Sequence, residues 1–188
     1  MAFIAVYDAC VLFPAPLRDL LVRLALTGSF QAKWTGRILD ECFRSISTQR
    51  PDLRPEQLGR SSQLLELAVP DSEVQGYDSL MEGLMGLPDP DDRHVLAAAI
   101  RCGAQVIVTF NLKDFPSSVL TRYGMEAQHP DDFVLNLLSL DGRAVVRGVR
   151  EQAAALRSPP RTPSELLEVM SQQGLPGSVT VLARLMKS

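Results

Sequence analysis

Four carboxylates in this chain stand where acid chemistry is usually done: Asp8, Glu41, Asp92 and Asp114. Asp8 ends the short apolar run Phe3-Ile4-Ala5-Val6-Tyr7. Asn111 and Asp114 follow the β-branched run Gln105-Val106-Ile107-Val108-Thr109-Phe110. If both runs are parallel strands, their carboxyl ends share the sheet edge where open α/β sheets hold ligands. Asp92 heads the helical segment that feeds the second strand, and Glu41 lies on an early crossover helix. Converging carboxylates repel one another, and a site with several of them is tolerable mainly when divalent cations neutralise it. Oxygen-only ligands select hard ions such as Mg²⁺ or Mn²⁺. Such ions support phosphoryl hydrolysis, activating water and stabilising charge on the attacking and leaving oxygens.

Each acid also has a structural reading. Asp8 could simply terminate a strand, although an acid at that point is common in active sites. Asp92 could be a helix N-cap, and so could Asp91. Asp114 could stabilise a turn before Pro116. Glu41 lies off the apolar face formed by Ile38, Leu39, Cys42, Phe43 and Ile46, so a solvated side chain is its natural reading. By spacing, Asp40 is equally eligible.

The elements that must position these groups follow from periodicity. Phe3 to Tyr7 is continuously apolar rather than alternating, as expected for a strand buried on both faces. Helical spacing appears over Leu17 to Leu26, Arg37 to Gln49 and Pro55 to Ala68, and more moderately over Ser72 to Leu87. Leu87-Pro88-Asp89-Pro90-Asp91-Asp92 is rich in turn formers. Arg93 to Cys102 is then a helix, with Val95, Leu96, Ala99 and Ile100 on one face and Gly103 as its stop signal. Strand, helices and strand in this order imply a parallel sheet with helical crossovers. After Gly124 the chain reads as almost wholly helical. Pro130 to Leu140 and Arg143 to Leu156 are separated by Asp141-Gly142. Thr162-Pro163-Ser164-Glu165 has the form of a capping box, and a last helix covers Val179 to Met186. The expected organisation is one α/β domain over residues 1–135 and a helical extension over residues 136–188.

Composition bounds the chemistry further. With 188 residues and 46% hydrophobic side chains, the chain can build a substantial core. No apolar stretch approaches the ~20 residues of a bilayer span. No basic n-region opens the chain, so neither a secretory signal nor a membrane role is expected. Cys10, Cys42 and Cys102 fit neither a disulfide framework nor a zinc site, and read as reduced core residues of a cytoplasmic protein. The net charge of −3 hides an asymmetry: residues 142–188 carry seven basic and three acidic side chains, a net of +4. The remainder is net −7, and Val69 to Asp92 holds seven acids with no Lys or Arg. An acidic domain binds a polyanion poorly unless cations or a basic patch bridge the repulsion.

Three blocks carry a family resemblance. They are Phe3 to Leu12 around Asp8, Asp89-Pro90-Asp91-Asp92-Arg93-His94-Val95-Leu96-Ala97-Ala98-Ala99, and Val108-Thr109-Phe110-Asn111-Leu112-Lys113-Asp114-Phe115. In this order they resemble the motif blocks of PIN-domain proteins, and most nearly the VapC-type toxins of bacterial toxin–antitoxin pairs. The resemblance covers about residues 3–135. It implies a three-layer α/β/α fold with a central parallel sheet and a Mg²⁺- or Mn²⁺-dependent endoribonuclease inhibited by a VapB-type antitoxin. The family's catalytic acids map onto Asp8, Glu41, Asp92 and Asp114, which selects Glu41 over Asp40 and leaves Asp91 as a substitute for Asp92. Asn111 occupies a position often polar or acidic in the family. The helical extension lies outside the common domain, although a subgroup of such toxins carries a similar one.

On this reading Asp8, Asp92 and Asp114 bind the metal and Glu41 completes its surroundings. Thr109, Asn111 and Asp91 orient those ligands or water. Arg93, Lys113 and the tail residues Arg143 and Arg147 are candidates for holding RNA phosphates, against a reading of each as a surface cation. His94 is expected to be a packed or exposed helix residue rather than a catalytic base. PIN toxins often dimerise, which the apolar helices here permit. One rival is an aspartate-nucleophile phosphatase, which usually has a second Asp two residues after the first, where this chain has Cys10. The other is a PIN-like domain that binds RNA or protein without cutting.

Overall fold

In the computed structural model, which describes residues 2–187, the two apolar runs become neighbouring strands of a four-stranded, all-parallel sheet. In chain order, β1 (Phe3–Tyr7) is followed by a short helix α1 (Ala9–Leu12), α2 (Ala15–Ala25), β2 (Phe30–Lys33), α3 (Gly36–Gln49) and α4 (Pro55–Ala68). Then come α5 (Asp78–Met81), α6 (Arg93–Cys102), β3 (Val106–Val108), α7 (Ser117–Leu120), β4 (Glu126–Gln128), α8 (Pro130–Ala155), α9 (Pro163–Gln172) and α10 (Pro176–Leu185). The sheet order is β2-β1-β3-β4, with Ala5 opposite both Ala32 and Val106. Helices cover both faces, giving the expected three-layer α/β/α arrangement.

β1 is central because its side chains suit both layers. Ala5, Val6 and Tyr7 are fully buried. On one face Tyr7 stacks on Trp34 and meets Phe133 of α8 edge-on, with ring centroids 6.2 Å apart in each pair. Phe30 and Phe3 complete this aromatic cluster. Such pairs each add about 0.5–1.5 kcal/mol beyond the area they bury. The cluster ties β1, β2 and α8 together, so the beginning of the C-terminal helical region is part of the same core.

Several local expectations hold. α6 ends at Gly103, whose φ of +68° is the left-handed conformation glycine tolerates best. Thr162 and Glu165 form the capping box of α9, with Pro163 at its first position. α8 breaks at Asp141, which has non-helical φ/ψ and accepts a hydrogen bond from the Ala144 N–H at 3.0 Å. The boundary expected at residues 135 and 136 falls inside α8.

Others need correction. Residues 72–87 are not a helix. Only Asp78–Met81 turns helically, and Ser72 to Val74 run beside Trp34, whose N–H donates to the Ser72 carbonyl at 2.9 Å. Gly76 and Gly86, both at positive φ, interrupt the segment where a helix would have to continue. β2 and β4 were not anticipated. Both are edge strands of three or four residues containing Gln or Lys, too short and too polar for a period-2 signal to emerge. Cys10 and Cys102 are only partly buried, so of the three free cysteines only Cys42 belongs to the core. Among the described residues, no helix is long and apolar enough to cross a membrane.

Candidate active site

The groove at the carboxyl edge of β1 and β3 is built outward from Asp8. Because the chain turns from β1 directly into α1, the Asp8 carboxylate caps that helix, and its Oδ1 accepts the Ala9 N–H at 2.7 Å. Its Oδ2 accepts the Thr109 hydroxyl at 2.8 Å and the Cys10 thiol at 3.2 Å. Asp8 is only 7% exposed, and three donors hold it in one orientation. Thr109, fully buried one residue past β3, also accepts the Asn111 N–H at 3.0 Å, coupling Asp8 to the turn that follows β3. Burial and the adjacent Asp8 push the Cys10 thiol up to about 12, so it stays protonated and serves Asp8 as a donor. Cys10 therefore has a place at the site that its composition-level reading as a core cysteine did not anticipate. The only signal was its position two residues after Asp8.

Glu41 is held by a second set of contacts. α3 presents it half-buried toward the groove while Asp40 is exposed on the same helix. Glu41 Oε1 lies 3.1 Å from His94 Nε2 and 3.1 Å from Arg37 Nε. His94 is 2% exposed and its Nδ1 has no partner. Burial holds its pKa below the usual imidazole value, outweighing the pull of Glu41. A neutral ring with its proton on Nε2 satisfies both observations, the assignment resting on the hydrogen-bond pattern. His94 is thus packed, as expected, but also bound to a groove carboxylate. Nothing in the local sequence indicates the second fact, because Glu41 and His94 meet only across the fold.

Asp92 faces both sets. It makes no cap hydrogen bond to α6; Asp89 instead accepts the Asp91 N–H at 2.9 Å in the preceding turn. The capping explanation for Asp92 therefore fails, and Asp91 is exposed. The Asp92 carboxyl is pushed up to about 7, first by burial and then by Asp8, Asp89, Asp114 and Glu41. Four other acids acting on one carboxyl mark the point where negative charge accumulates.

Asp8, Glu41, Asp92 and Asn111, with Ser45, Gln49 and Phe13, line one groove of about 400 Å³. Asp114 lies at its margin on the 3-10 turn Leu112–Asp114, acting on Asp92 electrostatically without lining the groove. Arg93 follows Asp92 and Lys113 precedes Asp114, while Arg143 and Arg147 line a different cleft. Ser45 and Gln49 are lining residues that sequence reasoning missed; they lie one and two turns beyond Glu41 on α3. Among the described residues, no three His, Cys, Asp or Glu side chains stand close enough to hold an ion as they are. The carboxylates are spread around the groove, with one acid holding its proton near neutrality, and the one sulfur in the lining, Cys10, stays protonated. That donor set fits a hard divalent cation, which would displace the Asp92 proton and relieve the repulsion.

A family model described as the PIN domain matches residues 5–113, and one described as the VapC50 C-terminal domain matches residues 130–184. Over 98 residues the chain is 48% identical to a protein of Mycobacterium tuberculosis named as a candidate ribonuclease, VapC50. That match covers 52% of this chain and 57% of the relative, so it spans little more than half of either protein. No solved structure matches the chain.

Proposed function

This chain belongs to the PIN-domain family, and from that premise we propose that it is a divalent-cation-dependent endoribonuclease, the toxin of a VapBC-type toxin–antitoxin pair. The observation that carries the reading is the Asp92 carboxyl, pushed up to about 7 by burial and by Asp8, Asp89, Asp114 and Glu41 around one groove. Several carboxylates facing one another across a groove repel, and a bound divalent cation relieves that repulsion. Asp8, Asp92 and Asp114 would hold Mg²⁺ or Mn²⁺, and Glu41 would close the remaining side. When bound, the cation would supply an activated water and neutralise charge on the phosphodiester oxygens.

The chain's own groups have separable roles. Thr109, Cys10 and the Ala9 N–H orient the Asp8 carboxylate, and His94 with Arg37 orients Glu41. Asp92 must release its proton before it can act as a ligand, so occupancy of the groove should fall below neutral pH. Asn111 lines the groove where a water or phosphate oxygen would sit. Arg93 and Lys113 are the cations nearest in sequence to the acids and would hold flanking phosphates. The proposed partners are RNA as substrate, a VapB-type antitoxin as inhibitor and a second copy of the chain. The proposed setting is the cytoplasm.

The test is cleavage of structured RNA with Mg²⁺ or Mn²⁺ and with EDTA, using Asp8→Asn and Asp92→Asn as controls. Cleavage that needs the cation and disappears in both variants supports the reading. Full activity in EDTA or in Asp8→Asn sinks it, and RNA binding without any cation-dependent cutting would favour a binding module.

A further inference from the structure

Away from the acidic groove, positive charge is concentrated on the C-terminal helices. Arg143, Arg147 and Arg150 follow one another at i, i+4 and i+7 on the second half of α8, so they share one helix face. All three are exposed and line a single cleft of about 920 Å³ whose apolar lining includes Leu138, Val146 and Leu185. Among the described residues none of the three has an ion-pair partner. The one acid in the lining, Glu151, instead lies 3.9 Å from Arg23. Arg150 also borders the adjoining cleft, together with Lys187. Like charges at this spacing oppose one another and cost helix stability, and among the described residues no ion pair offsets them. An acidic chain that leaves three guanidiniums unneutralised on one face presents a site for a polyanion.

Placement gives the row a direction. α8 begins at the edge of the sheet that bears the acids, just past β4, and its eleven residues before the break at Asp141 carry the chain about 15 Å away. The second half returns beside α2, where Gln152 Nε2 donates to the Pro16 carbonyl at 2.8 Å. From Arg143 to Arg150 the row therefore climbs toward the edge where Asp8 opens α1. Its steps rise about 6 Å and then 4.5 Å along the helix, a spacing that lets successive guanidiniums take successive phosphates. The cleft shares no lining residue with the acidic groove.

We propose that Arg143, Arg147 and Arg150 form a second RNA-binding site, an anchor for the phosphate backbone that is separate from the groove where cutting occurs. For its ligand the proposal rests on the ribonuclease reading. The helical extension then supplies the attraction for RNA that the acidic groove cannot. The choice of RNA over an acidic protein segment follows from the repeated cations along one helix face, since a backbone of phosphates offers an anion at each step.

The experiment measures binding of a fluorescein-labelled, single-stranded RNA of mixed sequence to the full chain by fluorescence anisotropy. EDTA is present to prevent cutting, and potassium chloride is titrated. In the triple variant Arg143→Gln/Arg147→Gln/Arg150→Gln, binding should weaken at least about tenfold, and the slope of log affinity against log salt should become shallower by about 2. The triple Arg→Lys variant, which keeps the charge, should retain most of both. Binding and salt slope equal to wild type in the Gln variant would overturn the proposal and leave the cleft to an acidic protein partner. Absence of RNA binding by the wild-type chain would overturn it as well. Loss of binding in the Gln variant of a chain that cuts no RNA with either cation would sustain the anchor while the nuclease reading fails.

Discussion

Replacing Asp92 by Asn should make the metal-free protein more stable at alkaline pH, and the gain should vanish in acid. Folding raises the Asp92 carboxyl from 3.8 to about 7, through burial and through Asp8, Asp89, Asp114 and Glu41. Between those values the folded state binds the proton more tightly than the unfolded chain, so stability falls as pH rises. Below about pH 4 both states hold the proton and the variant gains nothing. Above about pH 7 both have lost it, and the folded protein bears the full cost of the charge. A rise in proton affinity from 3.8 to about 7 corresponds to about 4 kcal/mol. Asp92 is only part-buried, so water screens much of this and roughly 2 kcal/mol is the expected gain. No cap hydrogen bond is lost to offset it. For a domain of this size the gain corresponds to a rise in Tm of about 4–8 °C. Calorimetry in EDTA at pH 4.5, 6 and 8.5 measures the difference, each pH chosen from the window around 3.8 and about 7. Adding Mg²⁺ or Mn²⁺ at pH 8.5 (the alkaline end of that window) should then stabilise wild type and leave the variant unmoved. A variant equally stabilised or destabilised at every pH would refute the electrostatic account, and an equal cation response in both proteins would refute the ligand role.

The remaining predictions concern the groups that hold the acids and the extension. His94→Phe removes the Nε2 donor to Glu41 and should lower cation-dependent cleavage by about 10–100-fold, with His94→Gln recovering part of it. Steady-state kinetics against cation concentration measures the effect, and full activity in His94→Phe would exclude the positioning role. Thr109→Val keeps the shape but removes the donor to Asp8 and the acceptor for the Asn111 N–H. Chemical denaturation should show a loss of about 1–3 kcal/mol. Asp131→Ala removes the acceptor for the Gly177 and Ser178 N–H groups and for the Ser178 hydroxyl at the start of α10. Amide exchange should then rise across α10 while the sheet stays protected, for a cost of about 1–2 kcal/mol.

The features legible from local sequence were those with strong local causes. The uninterrupted apolar run of β1 predicted a buried parallel strand, and Ala5, Val6 and Tyr7 are fully enclosed. The capping box at Thr162 and the glycine stop at Gly103 were readable because each acts on its own helix end. The two edge strands and the 72–87 segment were not readable, because pairing with a neighbouring strand decides their conformation against weak local preference. The acids Asp8 and Asp114 stood out as strand-end residues, whereas Asp92 and Glu41 depended on a family likeness.

What the chain by itself determined was the supply of acids, the two strands that carry them to one edge, and the basic tail. Only the tertiary structure decided which acid faces which. Glu41 rather than Asp40 enters the groove because His94 and Arg37 reach its carboxylate. Asp92 gains its raised proton affinity first from burial and then from residues as distant in sequence as Asp8. Tertiary structure also placed the arginines of α8 in a cleft that shares no lining residue with the acidic groove, although the break at Asp141 turns that helix back along α2. Sequence spacing controls contacts within an element, but electrostatic effects act through space, and the folded chain alone sets those distances.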